Sequence, residues 1–67
     1  MEFKLKTEFV ELDNMLKAMS LAANGAEAKQ HIRAGLLKVN GVVESRVRRK
    51  LRPGDLVEFG GQKIEVR

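Results

Sequence analysis

Asn24–Asp55, NGAEAKQHIRAGLLKVNGVVESRVRRKLRPGD, is the stretch whose reading decides the fold. Asn24 is a good N-cap, and Glu27 stands at the three-residue spacing of a capping box. The helix it opens should run from about Gly25 to Ala34, with Gly35 suited to the left-handed position that ends a helix. Ala28 and Ile32 then share the face toward the core, with Lys29 and Arg33 together on the adjoining flank. Val39-Asn40-Gly41-Val42 predicts a two-residue hairpin loop, because Asn and Gly tolerate positive φ, and it sets Val39 opposite Val42. Arg52-Pro53-Gly54-Asp55 predicts a type II turn, with Pro and Gly at its two central positions. Between the two turns, simple alternation would put Arg46, Arg48 and Lys50 on one face and Val47, Arg49 and Leu51 on the other. Arg49 breaks the apolar side, so a bulge or loop is expected near Val47–Lys50, with Leu51 returning to the core.

Working outward, residues 2–10 alternate and predict a half-buried strand with Phe3, Leu5, Thr7 and Phe9 on one face. Leu12, Met15, Leu16 and Met19 follow at helical spacing, the apolar stripe of a first helix, with Asp13 favoured in its first turn. Ser20 to Ala23 form a short connection. Phe59-Gly60-Gly61-Gln62 predicts a second hairpin, which sets Val57 opposite Ile64 and places Val66 on the same side. The order is strand, helix, helix, then four short strands. The expected fold is α+β, a two-helix motif packed on a small antiparallel sheet, in one domain over residues 1–67 with a motif core of about residues 12–59.

Composition narrows the function. Asn24–Asp55 carries eight cations (Lys29, Arg33, Lys38, Arg46, Arg48, Arg49, Lys50, Arg52) against three anions (Glu27, Glu44, Asp55), within a chain of net charge +4. Such a concentration of cations is the footprint of a polyanion binder. Arg46, Arg48, Arg49 and Lys50 should be exposed and mutually repulsive in the free protein; with Arg52 they make five cations in seven residues, a poor fold element but a sensible phosphate-contacting ridge. There is no cysteine and one histidine, His31, so a zinc site or a Cys–His nucleophile pair is excluded by inventory. No phosphate-cradling glycine loop occurs, and a chain this short offers little pocket volume. No apolar run approaches a membrane span. The expectation is a non-enzyme with no cofactor, no metal, no small-molecule substrate and no membrane, monomeric and cytoplasmic. The three Phe all fit core faces, so base stacking is poorly supplied. Recognition should then rest on phosphates, 2′-hydroxyls and shape, which favours structured RNA.

The run from Leu12 to Phe59 resembles the S-four RNA-binding domain, named for ribosomal small-subunit protein four. The matching features are Leu12-Asp13 opening the first helix, Gly25-Ala26-Glu27-Ala28-Lys29, Ile32, Gly35, Val39-Asn40-Gly41, and Gly54-Asp55 before an apolar strand. The chain looks most like the small stand-alone bacterial members, the YbcJ-like subfamily. Larger members often open the second helix with Ser-Arg, whose Arg contacts RNA; Asn24 and Gly25 stand there, so that contact is not carried over. The small members tend to have Gly after the first arginines of the basic strand; this chain has Val47 in that neighbourhood.

The resemblance implies RNA binding through the second helix, the adjoining hairpin and the basic loop, here Lys29, Gln30, Arg33, Lys38, Arg46, Arg48, Arg49 and Lys50. It also points to ribosomal RNA or a ribosomal particle as partner. Two other readings stay open from the residues themselves: a DNA-binding module, and a protein-interaction adaptor with an acidic partner.

Overall fold

A computed structural model describes residues 1–67. Two helices, α1 (Leu12–Ala18) and α2 (Gly25–Arg33), are combined with seven short strands: β1 (Glu2–Phe3), β2 (Val10–Glu11), β3 (Leu37–Val39), β4 (Val42–Val43), β5 (Lys50–Leu51), β6 (Leu56–Phe59) and β7 (Gln62–Val66). Five strands form one sheet in the order β1-β7-β6-β3-β4, and β2 and β5 form a separate ribbon. The α+β class holds, but the main sheet is mixed, because β1 runs parallel to β7 while its other pairs are antiparallel.

Local chemistry explains most of the elements. Asn24 Oδ1 accepts the Glu27 N–H at 2.9 Å, the cap read from the sequence. The reciprocal half of the capping box is shifted by one residue: Glu27 Oε1 accepts from the Ala23 N–H at 3.3 Å rather than from Asn24. At the other end Gly35 takes φ 78°, and the Gly35 and Leu36 N–H groups donate to the carbonyls of Ile32 and His31. That is the Schellman arrangement, which satisfies two otherwise orphaned carbonyls. Asn40 and Gly41 both have positive φ, at 53° and 83°, and Val39 pairs with Val42 as expected. Phe59 pairs with Gln62 and Val57 with Ile64 across the second hairpin. The Asp55 N–H donates to the Arg52 carbonyl at 3.1 Å, closing the Pro-Gly turn.

The core forms where these faces meet. Leu12, Met15 and Leu16 from α1, Ala28 and Ile32 from α2, and Leu37, Val39, Leu51, Val57, Ile64 and Val66 from the strands are buried together, with Ala22 between the helices. Apart from Ala22 in the connection and Leu51 after the irregular loop, these are residues that helical or alternating spacing points inward, so most of the core follows from the binary pattern.

The N-terminal segment departs from its reading. Residues 2–10 do not form one strand. Phe3 and Leu5 pack against the core as alternation requires, but Thr7 and Phe9 are exposed. The strand ends because its partner ends: Phe3 pairs with Val66, and the Leu5 N–H bonds to the carbonyl of the last residue, Arg67. The chain then turns, with Thr7 Oγ1 donating to the Phe9 carbonyl at 2.8 Å, a local competitor of ladder bonding. It resumes as β2 against a different partner, Val10 opposite Leu51. Phe9 is therefore not a core residue. No helix is long and apolar enough to cross a membrane.

Candidate nucleic-acid interface

The loop between β4 and β5 is an irregular segment, as the misplaced Arg49 requires, and Leu51 does return to the core. It is fastened at its far end to α1. The Leu12 N–H donates to the Arg49 carbonyl at 2.9 Å and the Asp13 N–H to the Val47 carbonyl at 3.2 Å. Two of the N–H groups that open α1 thus find their acceptors in the loop. Val47 packs its side chain on the core.

Glu44 organises the loop charges. Its carboxylate accepts the Arg46 backbone N–H, Nε and Nη2, each at 3.0 Å, and Arg49 Nε lies 3.0 Å from Oε1. The hydrogen bonds from the Arg46 side chain are the main reason its pKa is pushed down to about 2, with the Arg46 N–H and the charges of Arg46 and Arg49 adding to them against the effect of burial. Arg49 also donates from Nη1 to the Lys50 carbonyl at 2.9 Å and lies 3.8 Å from Asp55 Oδ2. Its side chain is only 24% exposed, against 79% for Arg48. Of the four cations expected to be exposed and mutually repelling, Arg46 stays exposed at 73% but shares the Glu44 counter-charge with Arg49, and Arg49 is the one largely withdrawn from solvent. Arg48 has only Glu11 nearby, at 4.0 Å.

Asp55 anchors the other side. Burial pushes its carboxyl up, but the Arg52 N–H, the Asn40 amide and the charges of Arg49 and Arg52 outweigh that and hold it below its usual value. Around it, Arg46, Arg48, Arg49, Lys50, Arg52 and Asp55 line an open concavity of about 700 Å³ that includes no hydrophobic residue. The structure so brings together four of the residues singled out in the sequence, Arg46, Arg48, Arg49 and Lys50. It adds Arg52, which the sequence places in the cation run but not among the candidate contacts.

The other four candidates lie elsewhere. Lys29, Gln30 and Arg33 are exposed on α2, and no ion pair or hydrogen bond ties their side chains to the loop. Lys38 is the outward residue of β3, across from Glu58 and Val43. It lines a smaller hollow of about 250 Å³ with Gly35, Leu36 and the β6–β7 turn. His31 sits between these parts, with Nε2 3.5 Å from Glu27 Oε1 and its ring 5.0 Å from Phe59.

A loop of this kind, fastened to the start of one helix and flanked by a second helix and an Asn-Gly hairpin, defines a class. Residues 3–67 match the family described as the S4 domain, and the chain belongs to that family. It is 41% identical over 61 residues to YbcJ of Escherichia coli strain K12, covering 91% of this chain and 87% of that protein, and equally to YbcJ of Shigella flexneri. The solution structure of YbcJ from E. coli superposes with a TM-score of 0.72 at 41% identity, covering 97% of this chain and 84% of that one. That structure is described as revealing an ALFAL motif involved in RNA binding. S4 domains and the YbcJ proteins are binding domains, not enzymes, and the chain is non-catalytic on that ground.

Proposed function

We propose that this protein is a non-catalytic RNA-binding module that recognises structured RNA in the bacterial cytoplasm, either ribosomal RNA or a ribosomal particle. The observation that carries the reading is the concavity lined by Arg46, Arg48, Arg49, Lys50 and Arg52. Five cations around one open hollow, with a single carboxylate among them, suit a run of phosphates and little else. Arg48, Lys50 and Arg52 are exposed and stand outside the Glu44 clamp, and they make the first phosphate contacts. Glu44 presents the Arg46 guanidinium in a fixed pose, so less side-chain freedom is lost on binding. Lys29, Gln30, Arg33 and Lys38 form a second line of contact, which a folded RNA can reach at the same time as the loop. Membership of the S4 family and the likeness to YbcJ support RNA over DNA.

Crosslinking in cells, followed by sequencing of the bound nucleic acid, tests the reading. Reads concentrated on ribosomal RNA are expected. Recovery of chromosomal DNA, or of a protein partner that survives nuclease treatment with no RNA attached, would overturn it.

A further inference from the structure

Phe9 is the one aromatic side chain that does not pack against the core: Phe3 and Phe59 do, whereas Phe9 is 36% exposed. It is not isolated on the surface. Lys50 Nζ stands 4.8 Å and Arg52 Cζ 5.9 Å from its ring centroid, both within the ~6 Å reach of cation–π attraction. The β2–β5 ribbon sets this arrangement. Val10 pairs with Leu51 and Glu11 with Lys50, so the same register carries Phe9 opposite Arg52 and diagonal to Lys50. The Thr7 hydroxyl fixes the Phe9 carbonyl from the other side. The ring also forms part of the wall of an apolar cleft of about 320 Å³, shared with Phe3, Leu5, Val10 and Ala18 and edged by Lys4 and Lys6. That volume falls at the low end of the roughly 300–1,000 Å³ of small-molecule-sized sites.

We infer that Phe9 is a base-stacking residue, a subsite for one unpaired nucleobase beside the phosphates held by the loop. This rests on the RNA reading above. Lys50 and Arg52 also line the phosphate-sized concavity, so the same two cations face both places. In the free protein they cover the ring. When phosphates enter the concavity the cations turn to them and the ring face is freed. A base attached to those phosphates is then within reach of an apolar, planar surface. The occupant is a base rather than an apolar peptide because the cleft is edged by Lys4 and Lys6 with no carboxylate, and it adjoins a concavity whose cations, Lys50 and Arg52 among them, outnumber its one carboxylate, Asp55. The module accordingly prefers a helix that ends in an unpaired nucleotide to a blunt one.

The test pairs two RNAs of equal phosphate number: a hairpin with a short single-stranded flank, and the same hairpin with abasic sites in the flank. Base–aromatic stacking strengths correspond to a roughly five- to hundredfold loss of affinity for the natural protein on removing the bases. The Phe9→Leu variant should bind both RNAs alike, at the weaker level. The salt dependence should be the same in all four measurements, because stacking releases no counterions. As the chain has no Trp or Tyr, Phe9→Trp supplies a lone fluorophore. Its emission should be quenched by the flanked hairpin and much less by the abasic one, a readout that does not depend on Phe9→Leu folding. Salt-dependent binding with equal affinity for both RNAs would overturn the Phe9 subsite and leave the RNA reading standing. Absence of salt-dependent binding to either RNA would remove both.

Discussion

The side chains of Asn40 and Asp55, fifteen residues apart, are joined by a hydrogen bond of 2.9 Å from Asn40 Nδ2 to Asp55 Oδ1. Asn40 Oδ1 in turn accepts the Leu56 N–H at 2.9 Å, and Asp55 Oδ2 accepts the Arg52 N–H at 2.8 Å. The Asn-Gly turn and the Pro-Gly turn are therefore one unit. This gives a physical reason for Asn40 beyond its tolerance of positive φ, and for an acidic residue after Gly54. The unit also sets the position of Arg52 at the edge of the cationic concavity. Asn40→Gly keeps the turn geometry but loses both side-chain bonds. It should lower stability by about 1–3 kcal/mol, the sum of two net hydrogen bonds, read by denaturant unfolding.

Gly41→Val tests the turn itself. Gly41 has φ 83°, and a Cβ built there meets nothing within 4 Å, so any cost is conformational rather than steric crowding. A β-branched residue at this φ should destabilise by about 1–3 kcal/mol. An unchanged melting temperature would show that the strain is relieved by another backbone path.

Turns and stripes were legible because their causes are local. Asn40-Gly41, Gly60-Gly61 and Pro53-Gly54 each announce a backbone shape within four residues, and Leu12, Met15 and Leu16 declare a helix face within five. The remainder depended on partners far along the chain. Phe3 and Val10 look like one alternating strand, but they pair with Val66 and Leu51 in different sheets. Alternation assigns a face without saying where a strand loses its neighbour, so Phe9 was misread as core. The Glu44 clamp was hidden for another reason: in an irregular loop no period relates Glu44 to Arg46 and Arg49, and charge counting treats all three as independent. Arg52 belongs to the cation run, but it lies past the basic loop that the family resemblance maps, so only the folded concavity groups it with Arg46, Arg48, Arg49 and Lys50.

The Glu44 clamp has a pH signature. Its carboxyl is pushed down to about 2 in the folded protein, against an ordinary value of 4.5. A depressed folded-state pKa contributes stability that is fully present above the unfolded value and is lost as pH falls through the folded one. The melting temperature of the natural protein should drop between about pH 4.5 and 2 by more than that of Glu44→Gln, whose position 44 does not titrate. Parallel pH profiles for the two proteins would show that Glu44 does not hold the loop.

Salt dependence measures how many cations meet phosphate. Glu44 occupies Arg46 and Arg49, which leaves Lys29, Arg33, Lys38, Arg48, Lys50 and Arg52 without a close carboxylate partner. If four to six of them each neutralise a phosphate, log affinity should fall with log salt with a slope of about −3 to −5. Lys29→Ser with Arg33→Ser should make that slope shallower by about one to two units while leaving melting unchanged. A slope near zero for the natural protein would remove the electrostatic basis of the site.

Arg48 and Arg49 are adjacent in the chain and should behave oppositely. Arg48 is 79% exposed and its nearest carboxylate is 4.0 Å away, so Arg48→Ser removes little from the folded state. It should melt like the natural protein, lose about 1.5–3 kcal/mol of RNA affinity for one charge-assisted contact, and make the salt slope shallower by about one unit. Arg49 is 24% exposed, ion-paired to Glu44 at 3.0 Å and hydrogen-bonded to the Lys50 carbonyl. Arg49→Ser strips the carboxylate of a partner and loosens the turn before β5, whose backbone supplies the acceptor for the Leu12 N–H. A stability loss of about 1.5–3 kcal/mol is expected, because hydrogen bonds to charged groups are worth that much when one partner is removed. Affinity, measured well below the melting temperature, should fall less than for Arg48→Ser. Thermal melting and filter binding on the two single variants decide the matter. Equal melting temperatures with equal affinity losses would mean that both arginines face RNA and that the Glu44 clamp opens on binding.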